Sequence, residues 1–351
     1  MKFESYVFPC EIEEDIRAIG GAPIPYMRTA AFSAVVKEIE AGLLELAGCR
    51  GGRAIIFTAS GTGAMDSVVT NYVSAKGKAF VIVGGSFGRR WRDLCAYYGV
   101  EHETMDVDFC RDPDYNELER RLGASGAKVL LCHHHETSTG EKFDLDRIST
   151  ACRKHGVSLV TDAVSSFLSE PLDMDKTGID IMVTSTQKGL NISPGLSIVL
   201  LSKRLEGFEF AHRSYYFDYE DNLRNLTRGQ TPFSPATTIF LQLQERVRRL
   251  LATGGAEANI ERVARRAKKF RELCDRYGWE RPAQTPANCI TGFFVRRNGD
   301  RLFEEMMKRG YYIMPGGTPC YFRVAHLGEQ SDEQLERLAA AIREIELTDY
   351  E

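Results

Sequence analysis

The chain of 351 residues is 43% hydrophobic and 27% charged with a formal net charge of −4, the balance of a soluble globular protein long enough for two domains. It has no basic field to hold a phosphate backbone or an anionic bilayer, so nucleic acid and membrane surfaces are not expected partners. No uncharged apolar run approaches the roughly 18 residues of a membrane span, and acids stand where a signal peptide carries its apolar centre, so a cytoplasmic protein is expected.

From about residue 53 to 202, short β-branched runs alternate with amphipathic stretches. "AIIFTAS", "AFVIVGG", "KVLLCHH", "VSLVTDAVSS", "IDIMVTS" and "LSIVLLS" predict strands, and "TGAMDSVVTNYVSA", "SFGRRWRDLCAYYG" and "DLDRISTACRKHG" predict helices between them. Strands separated by helices imply crossover units and a mostly parallel sheet, and continuous apolar strands suit a sheet covered on both faces. The connection between "IDIMVTS" and "LSIVLLS" is too short for a helical crossover, which predicts antiparallel neighbours. After "RGQTPFSPAT" come a charged helix, "TIFLQLQERVRRLLATGG", and a second, "AEANIERVARRAKKFRELCDRYG", whose basic run reads as a solvated face. Strand-like "ITGFFVR", the helix "GDRLFEEMMKRG", the strands "YYIMPGG" and "YFRVAHLG" and a last helix, "SDEQLERLAAAIREIE", complete a C-terminal α/β unit. The expected division is a large domain over residues 1–240, N-terminal arm included, and a small C-terminal domain over 241–351.

Three features bear on chemistry. "FTASGTGAMDSVV" is expected to end a strand at Ser60, pass two glycines and start a helix near Gly63, where free backbone N–H groups and the Ser60 and Thr62 hydroxyls would cup a phosphate. A plain helix cap fits the same turn. Asp162 stands at the carboxyl end of an apolar strand, where ligands sit in open α/β sheets; it suits either a helix cap or a partner for a protonated heterocyclic nitrogen. One strand later Lys188 lies between two apolar runs, flanked by Thr186, Gln187 and Gly189. An isolated lysine is usually a surface residue, whereas a desolvated one has the lowered pKa that Schiff-base chemistry uses.

Phosphate cup, strand-end carboxylate and strand-end lysine in this order resemble the class V aminotransferases, pyridoxal-phosphate enzymes of fold type I. The motifs are "SGTGAMDSVV", "GGSFGRRW", "HHETSTG", "TDAVSSF", "STQKG", "QTPFSPA" and "FRVAHLG", closest to the alanine–glyoxylate, serine–pyruvate and 2-aminoethylphosphonate–pyruvate aminotransferases. The resemblance implies that Lys188 bonds the cofactor and that Asp162 holds its ring nitrogen protonated. Ser60, Gly61 and Thr62, with Gln187 close by, would bind the phosphate. Phe87 would stack on the ring in preference to Trp91, which falls one helical turn later; Val164 would pack on the opposite face, and Thr137 would approach the ring hydroxyl. Thr231 and Arg228 would reach the phosphate in a neighbouring subunit of a homodimer, although the alanine–glyoxylate branch commonly has an aromatic residue where Arg228 stands. Arg323 would grip the carboxylate or phosphonate of a small amino donor and the carboxylate of a 2-oxo acid.

Other readings are narrower. His133, His134 and His135 form a tract without spaced acidic or cysteine partners, a poor metal site. Nine dispersed cysteines without a C-x-x-C pair fit reduced, mostly buried thiols. Cys320 raises a cysteine desulfurase on the same fold, but those enzymes usually carry histidine where this chain has Gln187. A class V lyase or a non-catalytic cofactor-binding scaffold are the remaining alternatives.

Overall fold

The computed structural model describes residues 3–350. Its central sheet has seven strands: β1 (Arg53–Thr58), β2 (Ala79–Val83), β3 (His102–Asp106), β4 (Val129–His133), β5 (Ser158–Asp162), β6 (Ile181–Ser185) and β7 (Leu196–Leu201). They lie in the order β1-β7-β6-β5-β4-β2-β3. From β6 across to β3 all neighbours are parallel, and β7 runs antiparallel to both β6 and β1. The mostly parallel α/β sheet and its antiparallel pair are therefore as expected. One strand was not anticipated: β3 reads "HETMD" and buries only Met105, because it is an edge strand with a half-exposed face.

Alternate residues of each strand serve opposite layers. Ile56, Ile82, Leu130, Leu159, Met182 and Ile198 pack beneath α1 (Ala30–Leu46) through Phe32, Val36, Ile39 and Leu43. Ile55, Val81, Leu131, Val160, Val183 and Val199 face Met65 and Val68 of α2 (Gly61–Val68) and Trp91 and Cys95 of α3 (Ser86–Tyr97). Helix α4 (Thr237–Ala252) joins the first layer through Phe240, Leu243, Val247 and Leu250, so the expected border at residue 240 falls inside a helix.

The C-terminal part holds a second sheet of β8 (Ile290–Phe294), β9 (Met314–Pro315) and β10 (Tyr321–Ala325), ordered β8-β10-β9 and antiparallel throughout. The expected single strand "YYIMPGG" is divided: Tyr311–Tyr312 pairs in parallel with Glu4–Ser5 and ties the N-terminal arm to this unit. Helix α5 (Gly255–Tyr277) covers the sheet with Phe270 and Leu273. Its basic run is not wholly solvated as the sequence suggested, since Arg266 is buried and pairs with Glu329 at 2.6 Å.

Candidate active site

The parallel strands deliver their carboxyl ends to one edge of the sheet, and the turn after β6 carries Lys188. That turn is wedged against the turn following β5: a Cβ on Gly189 would lie 1.9 Å from the Phe167 carbonyl oxygen, so glycine is required beside the lysine. Lys188 is 7% exposed. Its Nζ donates to Thr137 Oγ1 at 3.2 Å and lies 4.8 Å from the Phe87 ring centre and 5.0 Å from that of Phe8. Burial lowers its pKa below the ordinary lysine value, against the opposing charge of Asp162, which favours the neutral amine a nucleophile needs.

Asp162 ends β5 and is buried, with Oδ1 accepting the Val164 amide at 2.8 Å. Burial raises its pKa, and Lys188 and the Val164 amide pull the other way. Asp162 is not an N-cap of a regular helix, since the chain continues into a turn.

The cup before α2 is built tighter than the sequence suggested. Strand β1 stops at Thr58 and the helix begins at Gly61 rather than near Gly63, because Ser60, extended at φ −79° and ψ 167°, already occupies the capping position. The Ser60 hydroxyl makes no capping bond; the Gly63 amide donates to the Ser60 carbonyl at 2.8 Å, and the Gly61 and Thr62 amides ahead of it have no side-chain cap, as suits another acceptor. A Cβ on Gly61 would come within 3.2 Å of Val164 Cγ2 and 3.3 Å of Ser185 Oγ, which brings Val164 and the cup together. Thr62 Oγ1 accepts from Arg90 Nη1 at 3.0 Å, and the Arg90 guanidinium lies 4.9 Å from the Phe87 ring centre. Gln187 is half-buried next to Lys188. Trp91 is fully buried in the core behind α3.

Phe87 is fixed by a residue that the sequence reading passed over. The buried Glu136 carboxylate accepts the amides of Phe87 at 3.1 Å, Gly88 at 3.2 Å and Ser138 at 3.1 Å, a negative charge at the start of α3 where the helix dipole favours one. Glu136 stands inside the quoted motif "HHETSTG", and that was its only signal. Arg90 likewise stands inside the quoted motif "GGSFGRRW", and Phe8 of the N-terminal arm had no signal, since its partner Lys188 is remote in sequence.

Thr137 connects the lysine to the guanidinium. Its hydroxyl meets Lys188, and its carbonyl accepts Arg323 Nη1 at 2.8 Å, while Arg323 Nη2 donates to the Pro315 carbonyl at 2.8 Å. Arg323 Nε is buried without a partner, an orphan donor of the kind a bound acid would satisfy. Arg228 and Thr231 lie outside this group. Arg228 is exposed and donates to Asn225 Oδ1 at 2.5 Å; Thr231 Oγ1 donates to the Phe233 carbonyl at 2.7 Å, and Arg28 holds the Thr231 carbonyl at 2.6 Å.

His133, His134 and His135 are buried, and among the described residues no three His, Cys, Asp or Glu side chains converge as a metal site. Eight of the nine cysteines are buried free thiols, and Cys320, partly buried, packs against the C-terminal core. Among the described residues no helix is long and apolar enough to cross a membrane.

Residues 25–212, more than half of the chain, match the family described as aminotransferase class-V, and the chain belongs to that family. It is 28% identical over 340 residues to the L-aspartate–glyoxylate aminotransferase of Paracoccus denitrificans (strain Pd 1222), across 92% of this chain and 86% of that protein. It is 26% identical over 322 residues to the 2-aminoethylphosphonate–pyruvate transaminase of Vibrio vulnificus (strain YJ016), across 88% of each. The fold matches the crystal structure of a subgroup IV aspartate aminotransferase from Thermus thermophilus with a TM-score of 0.90 and 24% identity over 99% of both chains. The protein is thus an aminotransferase of a family that implies pyridoxal phosphate.

Proposed function

We propose that this aminotransferase moves an amino group from a small donor of the alanine, serine or 2-aminoethylphosphonate type to a small 2-oxo acid such as pyruvate or glyoxylate, with pyridoxal phosphate on Lys188. The residues fit that cofactor: the Gly61 and Thr62 amides at the uncapped start of α2 suit its phosphate, and the desolvated lysine amine interacts through charge with a buried carboxylate. When bound, the cofactor supplies an aldehyde that condenses with amines and a ring that withdraws electrons from the donor carbon.

Lys188 would hold the cofactor through its amine and, once displaced by a donor amine, would serve as the base that moves the proton at the donor α-carbon. Asp162 would hold the ring nitrogen protonated. Phe87 and Val164 would pack on the ring, Thr137 would approach its hydroxyl, and Ser60, Gly61, Thr62 and Gln187 would hold the phosphate. Arg323 orients the acid group of donor and acceptor in turn. Thr231 and Arg228 complete the phosphate site of a partner subunit in a homodimer, and the enzyme works in the cytoplasm. The large domain, residues 1–240 on sequence grounds, is better closed after α4 at Thr253, because α4 packs into the large core.

The observation that carries this reading is the single residue Thr137, which touches the reactive amine with its hydroxyl and the acid-gripping guanidinium with its carbonyl. Purified protein should be yellow, and borohydride reduction followed by peptide mapping should find the cofactor on Lys188. Label on another lysine would refute the assignment, and a donor screen against pyruvate and glyoxylate identifies the substrates.

A further inference from the structure

The cup before α2 is uncharged in its own residues: Ser60, Gly61 and Thr62 offer amides and hydroxyls alone. A phosphate monoester brings about 1.5 to 2 negative charges near neutral pH. A cation of the same chain reaches the cup, since Arg90 Nη1 donates to Thr62 Oγ1 at 3.0 Å. Arg90 follows Phe87 by three residues on α3, so the two share a helix face, and its guanidinium lies 4.9 Å from the Phe87 ring centre. The start of α3 is held tightly. A Cβ on Gly88 would lie 2.7 Å from Val83 Cα, and the Phe87 and Gly88 amides are bound to Glu136. Arg90 thus leaves a fixed helix start with one ring to stack on and one hydroxyl to bond. Its neighbour Arg89 is exposed and turns instead to Ser86 Oγ at 3.1 Å.

The direction of the bond decides what Thr62 can do. A guanidinium has donors only, so Thr62 Oγ1 is the acceptor and keeps its own hydrogen to give. Among the described residues that hydrogen meets no acceptor, whereas Thr70 gives its own to the Asp66 carbonyl at 3.0 Å. Arg90 has no carboxylate within 4.0 Å among the described residues, so no ion pair neutralises its charge. A free hydroxyl hydrogen backed by an unneutralised guanidinium, beside two uncapped amides, is a set of groups that recognises an anion.

We propose that Arg90 is a positioning residue of the phosphate cup: it aims the Thr62 hydroxyl hydrogen at the cofactor phosphate and sets a positive charge behind that hydroxyl, from the same chain that carries Lys188. The inference rests on the proposed function, in which the cup receives that phosphate. Its consequence is selectivity for an aldehyde that bears a phosphate over the same aldehyde without one. Support of the Phe87 ring alone would give no such selectivity, because the ring that Phe87 would cover is common to both.

Arg90→Met tests this, since it keeps an apolar stem against Phe87 and removes both the donor and the charge. Protein freed of its cofactor is titrated with pyridoxal phosphate and with pyridoxal, each followed by its visible absorbance on Lys188, at a concentration where sedimentation gives variant and wild type the same association state. Affinity for pyridoxal phosphate should fall roughly 10- to 100-fold, as loss of a charge-assisted hydrogen bond does, while that for pyridoxal changes by less than about 3-fold. Thr62→Val should show the same selectivity, and adding it to Arg90→Met should weaken binding little further, because the two groups act as one unit. Arg90→Lys, a point charge in place of the fork, should fall between wild type and Arg90→Met, and it carries the comparison if Arg90→Met does not fold. Equal losses for both aldehydes, no loss for either, or full additivity with Thr62→Val overturns the role of Arg90 alone. A wild-type protein that takes up neither aldehyde on Lys188 overturns it and the proposed function together.

Discussion

Lys188 and Asp162 are each pushed toward neutrality by burial, and each is the leading charge that opposes the other's shift. A bound ring that presents a positive nitrogen to Asp162 would end that dependence and leave the lysine free as a base. Asp162→Asn should therefore fold and hold cofactor yet lose on the order of 100-fold or more of its single-turnover rate, since an amide cannot balance a ring-nitrogen charge. Near wild-type rates would reduce Asp162 to the group that closes the turn at Val164. Arg323 is already fixed by two carbonyls, so Arg323→Ala should keep the cofactor spectrum while removing about 2 to 4 kcal/mol of acid recognition, roughly 30-fold to nearly 1000-fold in kcat/KM. Arg323→Lys should recover only part, because an ammonium cannot keep both carbonyls and the bidentate fork. Unchanged kinetics toward every accepted acid would make Arg323 structural. Lys188 and Asp162 were candidates from the residues alone because each stands where an apolar run meets a polar motif, and Arg323, inside a strand, only through the family resemblance; Glu136, Arg90 and Phe8 were not, because what they do depends on amides, a hydroxyl or an amine brought close only by the fold.

The elements were legible in proportion to their burial. Strands β2, β4, β6 and β7 are buried at every position and read as continuous apolar runs; β3, at the sheet edge, has one buried side chain and left no run to find. Start points were less legible than the elements themselves, as α2 shows, since an extended serine before two glycines gives no mark of where helical dihedrals begin. The contact that best defines the site at this scale is turn against turn. Gly189→Ala would force its Cβ into the Phe167 carbonyl, and neither turn can give without moving β5 or β6. A loss of about 3 kcal/mol or more is expected, in the range of severe overpacking, read as a lower Tm, with cofactor incorporation reduced in what remains folded. An unchanged Tm would show that the two turns are free to part.

At the scale of the whole molecule, Thr231 and Arg228 pose the remaining question, because they lie apart from the group around Lys188 yet are proposed to reach a cofactor phosphate. Tyr215 is 89% exposed, and Tyr216, 40% exposed, stacks on Phe233 at 5.2 Å. Arg28 grips the Thr231 and Pro232 carbonyls and so ties this segment to Ile24 and Tyr26, exposed at 66% and 67%. Exposed large apolar side chains of this kind suit an interaction surface, and in the proposed homodimer a second copy of the chain would cover them while bringing Thr231 and Arg228 toward the other subunit's α2. Sedimentation should therefore give a dimer. Tyr215→Glu should weaken association by about 2 kcal/mol or more, the cost of losing an aromatic anchor, which is roughly 30-fold in Kd. Cofactor affinity should fall in step with the dimer fraction, because each phosphate site would lose the partner's contacts. A fully active monomer at assay concentration, with cofactor bound as tightly as in the wild type, would show that each chain completes its own site.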